Sequence, residues 1–278
     1  MPQAPPPAFS LRSAFSSAFA SVFNTVFPSD CRLCGEALTN VSRLPVCDAC
    51  THSIKAIEGS VCEVCGERVP DAAHAVSETR CMLCRRARLP FAKAMAYGSY
   101  DGALRGMIHL LKYEAMLPAA DSLAGLLVPV VQTLAEKCDG QALLIPVPLF
   151  KSKQRQREFN QSELIASAAL KKLPEVIRAK LEFTDSVLIR QRDTRSQTGL
   201  TRHQRRENMR GAFIVSDAHK VVGRDVILVD DVLTTGTTAA ECARVLRRAG
   251  AKKIYVATVA RVMKGEQVSV ELARSAEA

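Results

Sequence analysis

With 278 residues, 47% apolar and 24% charged, the chain has the composition of an ordinary globular protein with one sizeable core or two domains. Its formal net charge of +10 and pI near 9.2 favour anionic partners, small phosphates or nucleic acid. Its longest apolar run, Leu123 to Val131, is short and interrupted by Pro129, so no integral membrane association is expected.

A Pro-rich start leads into Phe15, Phe19, Phe23 and Phe27, one apolar stripe on a helix over residues 1–28. Packing on the neighbouring module is the expected use of that stripe, with a membrane-surface or targeting role as the alternative. Next come four C-x2-C pairs, Cys31/Cys34, Cys47/Cys50, Cys62/Cys65 and Cys81/Cys84, within a module drawn as residues 29–90. Each pair sets two thiolates on one knuckle, and two knuckles complete a tetrahedron, so two structural Zn2+ sites of four cysteines are expected. Sequential pairing is favoured over a cross-braced arrangement. Gly35 and Gly66 follow the second cysteine of their pairs, where a knuckle turn needs an unusual backbone conformation. A complete thiolate set leaves no open position for catalysis, and His52 and His74 are bystanders. Thiols in this number suit a reducing compartment, the cytoplasm.

Beyond Pro90 the composition changes, and residues 91–265 form the expected second domain, with 266–278 a tail. Asp101 is a plausible N-cap for a helix through Tyr113, with Leu104, Met107, Ile108 and Leu111 on its buried face. Arg105 and Lys112 share another face, either solvated or directed at phosphate; His109 is expected to be an ordinary helix-surface residue. A second helix spans about 120–137, and Ala142 to Pro148 is a buried strand ended by prolines. The basic segment Lys151 to Arg157 and a helix from about Asn160 follow. Residues 151–210 hold fifteen Lys/Arg against seven Asp/Glu, most of the excess charge. Within them, 187–190 suggest a strand and 191–210 a basic polar loop before strand character resumes at Gly211.

The chain is organised around Val226 to Thr238. Val226, Ile227, Leu228 and Val229 form a strand buried on both faces, and Asp230 and Asp231 stand at its carboxyl end, where open α/β sheets bind ligands. Thr234, Thr235, Gly236, Thr237 and Thr238 then turn into a helix. The amides and positive end of that helix suit a phosphate, Gly236 permits close backbone approach, and the threonine hydroxyls can donate. The acids can accept from vicinal hydroxyls and hold a water-clad Mg2+. No lysine follows the glycine, which excludes a Walker A loop, and no G-x-G-x-x-G occurs. A plain strand-turn-helix connection with capping threonines is the alternative.

Four apolar residues, two acids and this turn resemble the phosphoribosyl-pyrophosphate (PRPP) loop of type I phosphoribosyltransferases. The order of cysteine knuckles, YGSYDGALRGMIHLLKY, PVPLFKSKQRQREFNQSELIA, RQRDTRSQTGLTRHQRRENMRGAF and VILVDDVLTTGTT resembles the ComF family of competence-associated proteins, from Phe27 to Arg261. The resemblance implies an α/β type I phosphoribosyltransferase fold, a parallel sheet flanked by helices with a hood, behind a double zinc ribbon. It implies PRPP, with Mg2+, as ligand: Asp230 and Asp231 on the ribose hydroxyls, Thr234 to Thr238 on the 5-phosphate. Arg157, with Asn160 and Gln161, and arginines of a hood loop at 191–210 take the diphosphate side. The implied function is a phosphoribosyltransferase of open acceptor, associated with DNA uptake in natural transformation, with single-stranded DNA and uptake-machinery proteins as partners. A non-catalytic single-stranded-DNA-binding factor using PRPP as a regulatory ligand is the first alternative; a zinc ribbon that docks proteins, with the rest as scaffold, is the second.

Overall fold

A computed structural model describes residues 30–38, 42–69, 79–194 and 201–263. The phenylalanine stripe, His74, the tail at 266–278 and residues 195–200 of the basic segment lie outside the described residues. Two compact units part between Ser53 and Ile54. This division falls inside the module drawn as residues 29–90, so the second cysteine quartet shares a compact unit with the sheet.

In the first unit the described chain makes one knuckle ribbon, closed by the bridge of Asp30 with Ala37 and followed by helix α1, Asp48–His52. The second unit opens with a ribbon of the same construction, bridged from Val61 to Arg68 and ending in helix α2, Met82–Arg86.

The sheet is built from β1 (Lys93–Ser99), β2 (Ala142–Pro146), β3 (Leu181–Phe183), β6 (Val226–Leu233) and β7 (Ile254–Arg261), in the order β1-β7-β6-β2-β3. Every pairing is parallel. β2 and β7 are buried at every position, as continuous apolar runs covered on both faces should be. Helices α3 (Gly102–Glu114) and α4 (Pro118–Ala135) separate β1 from β2. α4 is long and apolar enough to cross a membrane, yet Leu123, Leu127, Val131 and Leu134 are fully buried, and the helix packs on β7 and on α6, Gln161–Lys172. α6 also covers β2 and β6.

The opposite side of the sheet presents Leu143, Ile145, Val226, Leu228, Ile254 and Val256 to Cys242 and Leu246 of α9, Thr237–Arg248. The Cys242 thiol is a core group there. A two-stranded antiparallel hood, β4 (Leu188–Arg190) with β5 (Phe213–Val215), joins this core through Leu188 and Phe213. Between the hood strands lies α8, Arg202–Met209, started by a reciprocal cap in which the Thr201 and Gln204 side chains each accept the other's backbone N–H.

Four elements differ from the sequence expectation. The basic segment Lys151–Arg157 is a helix, α5, ended by Glu158 at φ 66°, and none of its residues is buried. The short helix α7, Glu175–Arg178, and the edge strand β3 were not foreseen. β6 runs on to Leu233, because β7 continues to pair with it through Leu233 and Arg261 while β2 leaves it at Pro146 and Val229. The two aspartates thus lie inside the strand, at the point where it loses one neighbour and a crevice opens.

Candidate functional site

Asp230 and Asp231 alternate across β6, so their carboxylates diverge. Asp230 Oδ1 accepts from the Ser162 hydroxyl at 3.0 Å and from the Asp231 backbone N–H at 3.0 Å. Ser162 is set by the start of α6, where the Asn160 side chain caps the Ser162 N–H and donates to the Val147 carbonyl, tying the helix to the end of β2. Burial, then the neighbouring charge of Asp231, pushes the Asp230 carboxyl up to about 7. On the other side, the Lys112 ammonium of α3 lies 2.6 Å from Asp231 Oδ2. Burial opposes the charge on Lys112, but Asp231 and then Asp230 hold its pKa above the ordinary lysine value. A side chain left undecided between solvent and phosphate is therefore committed to the acid pair.

The threonine turn is formed as expected. Gly236 caps α9 with φ 73°, a left-handed conformation that glycine adopts freely, and leads its first amides out of the sheet. Thr235 and Thr237 hydroxyls are 2.8 Å apart. A helix start with a threonine collar, reached directly from two strand-borne acids, suits a phosphate at one end and hydroxyls at the other. A cavity lined by Thr235, Gly236, Leu233, Phe91, Leu83 and Arg206 opens beside the turn, toward the second knuckle.

Basic side chains gather on the β4 and α5 side. Arg157 donates to Gln161 Oε1 at 3.1 Å, and its guanidinium lies 5.4 Å from the centre of the Tyr113 ring. Arg190, only 9% exposed, donates to the Thr194 hydroxyl and lies over Phe213 at 5.6 Å, while its Nε has no hydrogen-bond partner among the described residues. Burial lowers the Lys153 pKa, and the nearby charges of Arg190 and Arg157 lower it further. Arg157 and Gln161 are thus joined, whereas the Asn160 side chain is spent on the start of α6 and on the Val147 carbonyl. Arg190, Lys153 and Ser162 are additions: Ser162 had a signal, two residues beyond an Asn at a helix start, whereas burial of Arg190 has none in sequence. Glu241 joins hood to helix by accepting the Gly211 N–H at 2.7 Å and pairing with Arg244. His109 meets the Tyr100 hydroxyl at 3.0 Å and the edge of Tyr113, part of a polar cluster on α3.

The eight knuckle cysteines form two sequential quartets, Cys31, Cys34, Cys47 and Cys50, then Cys62, Cys65, Cys81 and Cys84, with all sulfurs of each within 4.8 Å. The S···S distances of 3.9 Å for Cys31 and Cys50, 3.7 Å for Cys34 and Cys47, and 3.6 Å for Cys65 and Cys81 match the edge of about 3.8 Å of a tetrahedron with Zn–S of about 2.3 Å. Gly35 and Gly66 have φ of 77° and 70°, and each donates its N–H to the carbonyl of the first cysteine of its knuckle at 2.8 Å. The Cys47 N–H donates to Cys31 Sγ, 3.3 Å away, a contact that stabilises a thiolate there. Four sulfurs complete each set, so the donor chemistry fits structural zinc.

The second quartet is fastened to the sheet. The Ala94 N–H of β1 donates to the Val64 carbonyl at 2.7 Å, and Val64 and Leu89 pack on the sheet core. Arg261, the last residue of β7, reaches Glu67 Oε2 at 3.1 Å and Cys65 Sγ at 3.8 Å.

Residues 160–276 match a phosphoribosyl transferase domain family, and residues 22–86 a double zinc ribbon domain family. The chain is similar to the "DNA utilization protein YhgH" of Escherichia coli O157:H7, 30% identical over 239 residues, covering 85% of this chain and 98% of the relative. It is 28% identical over 227 residues to "Competence protein F" of Haemophilus influenzae, covering 77% and 96% of the two chains. With "Competence protein ComFC" of Bacillus subtilis it shares 24% identity over 210 residues, 74% of this chain and 79% of that one.

Proposed function

Because the chain belongs to the ComF family, we propose that it binds PRPP at the acid pair and threonine turn and transfers the phosphoribosyl group to a nitrogen acceptor, in the handling of DNA. The observation that carries this reading is the passage, within one strand and its turn, from Asp230 and Asp231 to the glycine-capped start of α9. The carboxylates accept from the ribose 2′- and 3′-hydroxyls, and the amides and hydroxyls of Thr234 to Thr238 hold the 5-phosphate. Arg157, Lys153 and Arg190 would take the diphosphate and stabilise the charge that develops on the leaving group, and Mg2+ carried in with it would supply further positive charge there. Asp230, near neutrality in its pKa, can exchange a proton at working pH. The cytoplasm suits eight reduced cysteines.

The test is calorimetric titration with Mg-PRPP of the wild type and of Asp230→Asn/Asp231→Asn, followed by diphosphate release across bases, amines and oligonucleotides. Binding by the wild type and its loss in the variant are expected; equal binding by both refutes the assignment.

A second reading, a single-stranded-DNA-binding factor with PRPP as a regulatory ligand, is favoured by α5, whose Lys151 and Arg155 are exposed on one helix. In that case affinity for an oligonucleotide falls steeply with salt, and neutralising Lys151 and Arg155 reduces the slope. DNA-uptake proteins are the partners this reading implies, with no integral membrane association.

A further inference from the structure

The two aspartates carry their own cation. Lys112 and Asp231 are 15% and 6% exposed, with 2.6 Å between ammonium and carboxylate. Asp231 Oδ2 has no hydrogen bond from any other described group. Asp230 is held from the opposite side by the Ser162 hydroxyl and the Asp231 N–H. A divalent ion collected directly by such a pair needs both carboxylates as ligands and room for its waters. Here an ammonium on a stem from α3 already lies against one of them, and its charge cancels one of the two negatives. What the pair retains is acceptor capacity, because an ionised carboxylate offers two oxygens with about four lone-pair sites.

We propose that Lys112 is a built-in counter-cation which lets Asp230 and Asp231 bind the cis-diol of a pentose 5-phosphate without a divalent metal ion. Any magnesium then rides on the diphosphate end of the ligand, toward Lys153 and Arg190. Lys112 acts through Asp231 and is a positioning residue. This inference rests on the acid pair being a ribose site, but it says something separate: which cation that site uses.

The probe is ribose 5-phosphate, which has the diol and lacks the diphosphate that would bring magnesium with it. Its affinity for the zinc-loaded protein is measured by calorimetry with and without magnesium, in metal-free buffer without a chelator so that the ribbons keep their zinc. The wild type is expected to bind equally in both. Lys112→Met is expected to lose about tenfold or more without magnesium and to recover when it is added, since it gives up one charge-assisted contact and frees the pair for metal. Lys112→Arg keeps the charge and is expected to remain independent of magnesium. Zinc content and thermal melting of each variant establish that it is folded. A wild type that needs magnesium overturns the inference while leaving the ribose site standing, and this measurement depends on no variant. Tighter binding by Lys112→Met in metal-free buffer also overturns it, because the lysine would then be competing with the sugar. Failure of the wild type to bind ribose 5-phosphate under either condition removes the ribose reading itself, and the counter-cation with it.

Discussion

Glu67→Gln tests whether the second knuckle and the sheet are one cooperative structure. Glu67 and Arg261 are 8% and 7% exposed in their side chains and 3.1 Å apart, and Arg261 Nε has no hydrogen-bond partner among the described residues. Removing the carboxylate charge leaves a guanidinium in the interior at the end of β7, against a cysteine sulfur. Breaking a buried pair from one side costs about 3–5 kcal/mol. The glutamine oxygen can still accept, so the lower end, about 3 kcal/mol, is expected. At about 2–4 °C per kcal/mol for a unit of this size, Tm should fall by roughly 6–12 °C. The assay is thermal unfolding of the zinc-loaded protein by circular dichroism, with zinc content measured before and after. Replacing both partners by leucine should recover more than half of the loss, since joint replacement leaves no unpaired charge. A Glu67→Gln protein within about 1 kcal/mol of wild type, or a double variant no better than the single one, refutes the argument.

Cys65→Ser should halve the zinc content and destabilise the sheet unit, whereas Cys34→Ser should halve the zinc content and leave the melting of that unit unchanged; metal analysis beside calorimetric melting separates them. The Asp230 carboxyl, raised by burial from 3.8 to about 7, binds a proton in the folded state that the unfolded chain has already lost in that window. Its contribution to stability should therefore decline as pH rises from 3.8 through about 7 and level off above, a slope that denaturant melts should find flattened in Asp230→Asn. Gly98→Ala would bring a methyl to 2.8 Å from Leu104 Cδ2 and 2.9 Å from the Lys55 carbonyl, a backbone atom. A loss of about 1–3 kcal/mol in chemical denaturation is expected, and a neutral substitution would contradict the packing at the end of β1.

What could be read from the sequence was whatever local pattern determines. The C-x2-C spacing dictates knuckles, whereas their sequential pairing was favoured but not dictated, since the intervals between successive pairs are similar. The apolar run at 226–229 followed by acids, threonines and glycine dictates a strand, an anion-suited turn and a helix start, because backbone conformation there depends on neighbours one to four residues away. Illegible was whatever depends on a distant partner. The extra length of β6 is set by β7, which extends beyond β2. The commitment of Lys112 to Asp231 joins a helix surface to a strand more than a hundred residues later. Arg190 carries a charge that composition assigns to solvent, yet it is buried against Phe213 and Thr194. The basic stretch Lys151–Arg157 looked irregular because its high charge and lack of an apolar stripe conceal a helix that packs little of itself. The change of composition at residue 90 marked where the cysteines end, and could not register that Val64 and Leu89 belong to the neighbouring core.

The clasp of Arg261 and Glu67 carries a further consequence, for the chain as the cell makes it. Val64, Cys65 and Glu67 emerge from the ribosome long before β7, so this end of the ribbon cannot be closed until the last strand of the sheet has been made. Because Cys65, Glu67 and Arg261 line the same cavity as Thr235 and Gly236, a shortage of zinc should be felt beside the threonine turn. For this molecule, then, metal supply during synthesis and the closing of the last sheet strand on the ribbon should be coupled, and a preparation lacking the residues before β1 should lose the clasp.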